Sequence, residues 1–274
     1  MIFGANLLFL HVPKTGGMST SGYLLDVLPK PVYLSHPAEV WNQTLPERGV
    51  VQIVGKRHET LAEAGDVVAR HGFAIDRFPL ILATIRNPYD LEVSRYCYLR
   101  VGYDWERGPE QELALGSTFE EFAVKNEERG GGWVTSAVTT RDPGAPAAGG
   151  VSREYPNELK DFYTLGGRIP ENLRLIRFER LVDDLTEALR SVGVDGRGAV
   201  FPWVNRSRRE EFRAYYTPRA EEAVYRRYRW VFDRGFYPRL GAAAPSPGPA
   251  AGEFDGVALA GGGSWEAVVS SVAA

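Results

Sequence analysis

The chain has 274 residues, of which 44% are hydrophobic, and a formal net charge of −3. This length suits one large α/β domain or two small ones, and the composition supports a substantial core. The slightly acidic balance argues against bulk nucleic-acid binding, which usually leaves a basic footprint, so an anionic ligand would need a local basic site.

The cysteine content and the apolar segments predict the compartment. Cys97 is the only cysteine, so no intramolecular disulfide can form, which fits a reducing environment. No segment approaches the roughly 20 apolar residues that a membrane helix needs. The N-terminus also lacks the basic region of a signal peptide. We therefore expect a cytoplasmic protein without a membrane span.

A strand, a glycine turn and a helix are predicted at the start of the chain. The apolar run from Leu7 to Leu10 predicts a buried strand, Gly16 and Gly17 a turn, and the pattern from Met18 a helix. Such a turn can bind a phosphate, because glycines let the backbone approach and the helix N-terminus offers unpaired N–H groups. The candidate ligands are Lys14, Thr15, Gly16, Gly17, Met18, Ser19 and Thr20.

Two observations limit that interpretation. A Walker loop has its lysine after the glycines, whereas Lys14 precedes them here. Taken alone, the turn could also be an ordinary tight loop.

Two further strands and a helix come next. Pro31 to His36 and Val50 to Val54 predict strands, and Glu59 to Arg70 predicts a helix. His58 therefore lies at a strand-to-helix junction, where ligands bind in open α/β sheets. The alternative is a helix-capping or surface histidine.

The segment from Leu80 to Arg86 predicts a central strand, and the next residues start a helix. Asn87 suits the N-cap, Pro88 the first turn, and Ser94 follows about two turns in. The guanidinium of Arg86 suits a phosphate dianion, which the Ser94 hydroxyl could help to bind. The alternative is a buried structural arginine at a strand end.

The remaining chain predicts alternating elements and one long irregular stretch. The stretch from 130 to 150 is a candidate acceptor-site lid containing Trp133, which could equally be a core residue. Tyr103 to Gly116 is polar and contains glycine, and from residue 241 the composition changes to Ala, Pro and Gly. We expect one domain over 1–240 and a linker and tail over 241–274. Helices are predicted over 118–128, 154–163, 180–192 and from Pro218 through Tyr228 after a Thr217 N-cap, and a strand over 173–179.

Three motifs carry a resemblance to a known family. The segment from His11 to Gly17 resembles the 5′-phosphosulfate loop of sulfotransferases that use 3′-phosphoadenosine 5′-phosphosulfate (PAPS), closest to the glycosaminoglycan 2-O-sulfotransferase-like branch and its bacterial relatives. Arg86 to Asp90 followed by Ser94 resembles the family's 3′-phosphate motif. The segment from Gly55 to Leu61 is similar to the one that carries the family's catalytic histidine.

The resemblance covers nearly all of residues 5–240. It implies a P-loop NTPase-like three-layer fold with a central parallel sheet flanked by helices. It also implies transfer of a sulfuryl group from PAPS to a hydroxyl or amine of a carbohydrate or small natural product. The implied catalytic residues are Lys14 and His58, the implied nucleotide contacts also include Arg86, Ser94, Arg206 and Ser207, and the candidate acceptor contacts are His58, Trp133 and Arg100.

Two other functions stay open at this point. A P-loop-like nucleotide kinase or NTPase would require Mg²⁺, whereas a sulfuryl group carries one negative charge less than a phosphoryl group and needs no metal. A non-catalytic PAPS-fold binding module would keep Arg86 and Ser94 but lack a working base. The residues do not identify the acceptor or the oligomeric state.

Overall fold

The computed structural model of the protein describes residues 1–38, 41–101, 108–129, 158–196, 198–204 and 209–241. Trp133, Arg206, Ser207 and the tail beyond 241 lie outside these ranges. The strands are β1 (Ile2–Phe3), β2 (Leu8–Leu10), β3 (Val32–His36), β4 (Val50–Val54), β5 (Ile81–Ile85) and β6 (Leu173–Arg177). The helices are α1 (Gly17–Val27), α2 (Leu61–Ala69), α3 (Pro88–Arg100), α4 (Pro109–Gly116), α5 (Phe119–Glu128), α6 (Leu181–Ser191), α7 (Pro218–Arg227) and α8 (Arg229–Asp233).

The sheet is mixed rather than parallel throughout. Within the described residues its strand order is β4-β3-β1-β2-β5-β6. β1 runs antiparallel to β2 and β3, while the β3–β4, β2–β5 and β5–β6 pairs are parallel. The expected parallel sheet is therefore confirmed for three strand pairs and wrong for the two pairs that β1 forms. The reason is local: Gly4 N–H donates to Leu7 O at 3.0 Å in a tight turn, whereas a parallel neighbour would need a crossover of about a dozen residues.

Helices cover both faces of the sheet because neighbouring strand residues point to opposite sides. Leu8 and Leu10 pack in a cluster with the apolar residues of α2, α3, α5 and α7. Phe9 and Leu82 pack on the other side with α1 and α6. The protein is therefore an α/β fold in which a six-stranded mixed sheet lies between helices.

Most predicted elements are present, with ends shifted by one or two residues. The strands predicted from apolar runs correspond to β2 to β6. β1 and α4 were not indicated by the sequence pattern. The predicted helix over 154–163 is wrong where it is described, because Leu159–Phe162 is a short 3₁₀ helix.

The predicted helix starts are confirmed at two positions. Asn87 is the N-cap of α3 and its side chain accepts from Tyr89 N–H at 3.0 Å. Thr217 is the N-cap of α7 and accepts from Ala220 N–H at 3.2 Å. Short polar side chains favour these positions because they satisfy N–H groups that the helix leaves unpaired.

The C-terminal part of the domain contacts the end of the sheet through the side chain of Tyr237. This buried side chain has its hydroxyl 2.7 Å from Glu179 Oε2 and 3.3 Å from Ile85 O. The other carboxylate oxygen of Glu179 accepts from Asn87 N–H at 2.9 Å. Three distant segments therefore meet where β5 ends and α3 begins.

The length and apolar character of a helix determine whether it can span a membrane. Across the described parts of the chain, we find no helix with both the length and the apolar character needed to cross a bilayer.

The Thr60 cap offers a test of the fold. Thr60 Oγ1 accepts from Glu63 N–H at 3.3 Å, and Glu63 Oε2 accepts from Thr60 N–H at 3.0 Å. We expect Thr60→Ala to lower the free energy of unfolding by about 1 kcal/mol, because it removes the cap of α2. Urea denaturation measures this change. Exposed Thr44 is the control, and Thr44→Ala should stay within about 0.5 kcal/mol of the parent.

Candidate functional site

The glycine turn joins the end of β2 to the start of α1. Lys14 and Gly16 both have left-handed backbones, with φ of 60° and 82°. Gly16 is the N-cap of α1 and offers no side chain to the first N–H groups of that helix. The turn therefore leaves a helix N-terminus that can receive an anion.

Close packing explains why both glycines are needed. A Cβ atom on Gly17 would lie 1.9 Å from Cδ2 of His11, and one on Gly16 would lie 2.9 Å from Cδ2 of Leu181. The imidazole of His11 is buried against the backbone of Gly17. The His11 ring therefore packs directly against the turn and limits the residue at position 17 to glycine.

The hydroxyl groups of the turn mainly hold the backbone. Thr15 Oγ1 donates to Val12 O at 2.8 Å, and Thr20 Oγ1 donates to Gly16 O at 3.1 Å. Each hydroxyl has one hydrogen and already donates it to a backbone carbonyl, so neither can donate to an anion without breaking that bond. Ser19 Oγ accepts from Val204 N–H at 3.1 Å and keeps its own hydrogen. Met18 packs against the core between the sheet and α1.

Arg86 connects the turn to the second predicted motif. Its Nη1 donates to Lys14 O at 2.6 Å, and its Nε donates to Asp90 Oδ2 at 2.7 Å. The guanidinium carbon lies 4.0 Å from the centre of the Phe178 ring, and the residue is 7% exposed. The structure therefore brings Lys14 and Arg86 together, as the sequence predicted for one site.

Arg209 completes the cationic group. Its Nη2 forms an ion pair with Asp90 Oδ1, while Arg86 binds the other oxygen of the same carboxylate. One carboxylate therefore holds two guanidinium groups, each on a different oxygen, through charge-assisted hydrogen bonds.

The side chain of Lys14 extends to α3. Its Nζ lies 3.5 Å from the centre of the Tyr98 ring, a cation–π contact. Burial, followed by repulsion from the guanidinium groups of Arg86, Arg209 and Arg95, lowers the pKa of Lys14 to about 7. An anion bound here would oppose that repulsion and raise the pKa again.

Ser94 lies on the face of α3 that meets the turn. Asp90, Ser94 and Tyr98 are spaced four residues apart and so form one row along the helix. Asp90 binds the arginines at one end of the row, and Tyr98 contacts Lys14 at the other. Ser94 is buried between them, 6% exposed.

His58 contacts the same segment from its other side. Its Nδ1 lies 2.8 Å from His11 O, and its ring centre is 4.5 Å from that of His11. A carbonyl oxygen can only accept, so Nδ1 carries the hydrogen and Nε2 keeps its lone pair. Burial, as the main cause, and the nearby Arg57 lower the pKa of His58 to about 3. His58 is therefore a neutral, oriented imidazole, and Thr60 rather than His58 caps α2.

The other predicted site residues do not join this cationic group in the described part of the chain. Arg100 ends α3, is exposed, and donates to Ala114 O at 2.8 Å, so it joins α3 to α4. Trp133, Arg206 and Ser207 fall outside the described ranges.

Arg209, Tyr98 and His11 were not predicted as side chains of the site, and Asp90 was predicted only as part of the segment that resembles a 3′-phosphate motif. Arg209 adjoins the basic run of Arg206 to Arg208, whose charge was the available signal. Tyr98 follows Ser94 by four residues, so the helical spacing could have indicated it. The packing of His11 on Gly17 had no signal in the sequence.

Neither metal ligands nor relatives identify the site. In the described ranges, no three or more His, Cys, Asp and Glu side chains come together in a group that could hold a metal ion. Comparison with protein-family models, with curated proteins and with solved structures found no match for this chain.

The contact between His11 and Gly17 predicts opposite effects for two helical glycines. We expect Gly17→Ala to lower the free energy of unfolding by about 1–3 kcal/mol, because the new methyl group displaces the His11 ring. Gly65→Ala is the matched control, since its Cβ would meet only Ile75 atoms, the nearest at 3.6 Å. That variant should gain about 0.5–1 kcal/mol. Equal effects in urea denaturation would contradict this account.

Proposed function

We propose that this chain is a PAPS-dependent sulfotransferase with a P-loop NTPase-like fold. The observation that carries the proposal is the bond from Arg86 Nη1 to Lys14 O, 2.6 Å long. It joins the segment that resembles a 5′-phosphosulfate loop to the segment that resembles a 3′-phosphate motif. A nucleotide with phosphates at both ends needs two such anion sites close together.

In this proposal the two ends of the nucleotide have different partners. The 5′-phosphosulfate binds at the N-terminus of α1 beside Lys14, and the 3′-phosphate binds Arg86 with help from Ser94. Asp90 and Phe178 hold the Arg86 guanidinium so that little side-chain entropy is lost on binding. Arg209 is supported as a further contact because it shares the carboxylate of Asp90.

Sulfuryl transfer would proceed by in-line displacement. The acceptor oxygen forms a bond to sulfur while the bond from sulfur to the bridging phosphate oxygen breaks. That oxygen gains negative charge, which Lys14 and the N–H groups of the turn stabilise. The proton of the acceptor hydroxyl passes to Nε2 of His58, whose Nδ1–H is held by His11 O. No metal is required in this scheme.

A second candidate function is supported by the pKa of His58, which burial lowers to about 3. An imidazole with so low a pKa is a weak base, which favours a PAPS-fold module that binds the nucleotide without catalysis. For catalysis, the negative charges of nucleotide and acceptor must raise that pKa on binding.

Calorimetric titration with 3′,5′-adenosine bisphosphate tests the nucleotide site. We expect tighter binding of this compound without metal than of ADP with Mg²⁺. We expect Arg86→Ala to weaken binding about 10- to 100-fold, because each charge-assisted hydrogen bond contributes about 1.5–3 kcal/mol. Affinity should fall as the pH rises above about 7, since Lys14 then loses its proton.

Arg213→Ala is the matched control for that titration. Arg213 is exposed, forms an ion pair with Glu211 and lies over the Phe212 ring, so its loss should leave bisphosphate affinity unchanged. A preference for ADP with Mg²⁺ would contradict the sulfotransferase proposal and support a kinase.

His58→Ala separates catalysis from binding. We expect this variant to lose sulfuryl transfer from PAPS to an accepting sugar or small molecule, because no other base is assigned to the hydroxyl proton. Its affinity for the bisphosphate should stay within about threefold of the parent, since His58 touches His11 rather than the arginines. Unchanged turnover would remove His58 as the base.

A further inference from the structure

The amine of Lys14 differs in its neighbours from the ion-paired lysines Lys56 and Lys160. Among the described residues no carboxylate lies within ion-pair distance of its Nζ, which instead rests over the Tyr98 ring. By contrast, Lys56 lies 2.5 Å from Glu63 and Lys160 lies 2.6 Å from Glu158. The guanidinium groups of Arg86, Arg209 and Arg95 repel its charge.

These neighbours change the chemistry of the amine. A lysine of ordinary pKa is neutral in only about one molecule in a few thousand at pH 7, whereas an amine of pKa about 7 is neutral in about half. The neutral amine is the nucleophilic form. The amine also has a defined neighbour, because Nζ lies 3.5 Å from the centre of the Tyr98 ring.

The same neighbours would recruit a particular class of reagent. Arg86 and the N-terminus of α1 favour an anion next to Nζ, and Arg209 adds positive charge. A compound with both a phosphate and an electrophilic carbon would therefore be held with that carbon near the amine. Such positioning raises the effective concentration of the reacting groups.

We propose that Lys14 is a covalent modification site for aldehydes that carry a phosphate group. The phosphate binds at the cationic group, and the lone pair of Nζ forms a bond to the carbonyl carbon while the π bond of the carbonyl breaks. One amine hydrogen passes to the carbonyl oxygen. The resulting carbinolamine loses its hydroxyl group and the remaining amine hydrogen as water, which leaves an imine. No oxidant or reductant takes part. The modification would occupy the site and exclude a nucleotide.

This inference rests on the anion site of the proposed function, but not on sulfuryl transfer itself. It can therefore succeed where the sulfotransferase proposal fails.

Labelling with pyridoxal 5′-phosphate tests the proposal on the full chain. Borohydride reduces the imine to a stable amine, and mass spectrometry of peptides then reports on each of the five lysines, Lys14, Lys30, Lys56, Lys125 and Lys160. We expect Lys14 to react at least about tenfold faster than the ion-paired lysines near neutral pH, because the bound phosphate holds the aldehyde carbon beside its amine. Pyridoxal, which lacks the phosphate, should lose most of this advantage.

Variants separate the contribution of the arginines from general reactivity. We expect Arg209→Ala to slow the labelling of Lys14 and Arg213→Ala to leave it unchanged, since only Arg209 belongs to the cationic group. Lys14→Arg should remove the label from this peptide. Labelling that is spread equally over the five lysines would overturn the proposal, as would equal rates with pyridoxal and its phosphate.

Protection by 3′,5′-adenosine bisphosphate distinguishes the two proposals. Selective labelling that the bisphosphate prevents supports both. Selective labelling that the bisphosphate leaves unchanged supports the modification site and contradicts the nucleotide site. Bisphosphate binding without selective labelling overturns the modification site alone.

Discussion

The bond from Arg86 to the carbonyl of Lys14 joins residues that are 72 positions apart in the chain. It depends on the parallel pairing of β2 and β5, in which Leu10 lies opposite Ala83. Because parallel strands end at the same edge of a sheet, the turn after β2 and the start of α3 after β5 come together there. Asp90, Phe178 and the aromatic residues around them then fix the geometry of that meeting point.

The site concentrates positive charge that the protein only partly balances. Asp90 neutralises part of the charge of Arg86 and Arg209, while the amine of Lys14 lies over an aromatic ring and, within the described ranges, forms no ion pair with a carboxylate. Repulsion among these groups destabilises the empty site, and the packing of the sheet and helices must offset it. An arrangement of this kind is typical of functional sites, where local stability is given up for binding.

The sequence predicted the parts of the fold that have local signals. Apolar runs indicated β2 to β6, and short polar residues indicated the N-caps Asn87 and Thr217. β1 has two residues, too few for a periodic pattern, and exists because the tight turn after it returns the chain to β2. α4 has a weak apolar pattern and is held partly by the buried ion pair between Arg95 and Glu110.

In the site, too, the features with local sequence signals were the ones predicted. The proximity of Lys14 to Arg86 was predictable because each lies at the end of a predicted strand, in segments that resemble paired motifs. The spacing of Arg86 and Asp90 fits one turn of a helix, but the pairing of Asp90 with Arg209 and the packing of His11 on Gly17 were not predictable, since neither spacing matches a helical or strand period. Long-range contacts of this type depend on tertiary packing, which local sequence patterns do not encode.

Tyr237 lies near the C-terminal end of the described domain. It stabilises the site indirectly, through residues that adjoin Arg86. Its hydroxyl meets Glu179 and the carbonyl of Ile85, and Glu179 in turn accepts from the N–H of Asn87, the residue next to Arg86. A truncated chain that stopped before Tyr237 would keep every described residue that we assign to the site. It would still lose a brace at the junction from which Arg86 extends. Deletions from the C-terminus would therefore loosen the group of Lys14, Arg86 and Arg209 before they removed any of its residues.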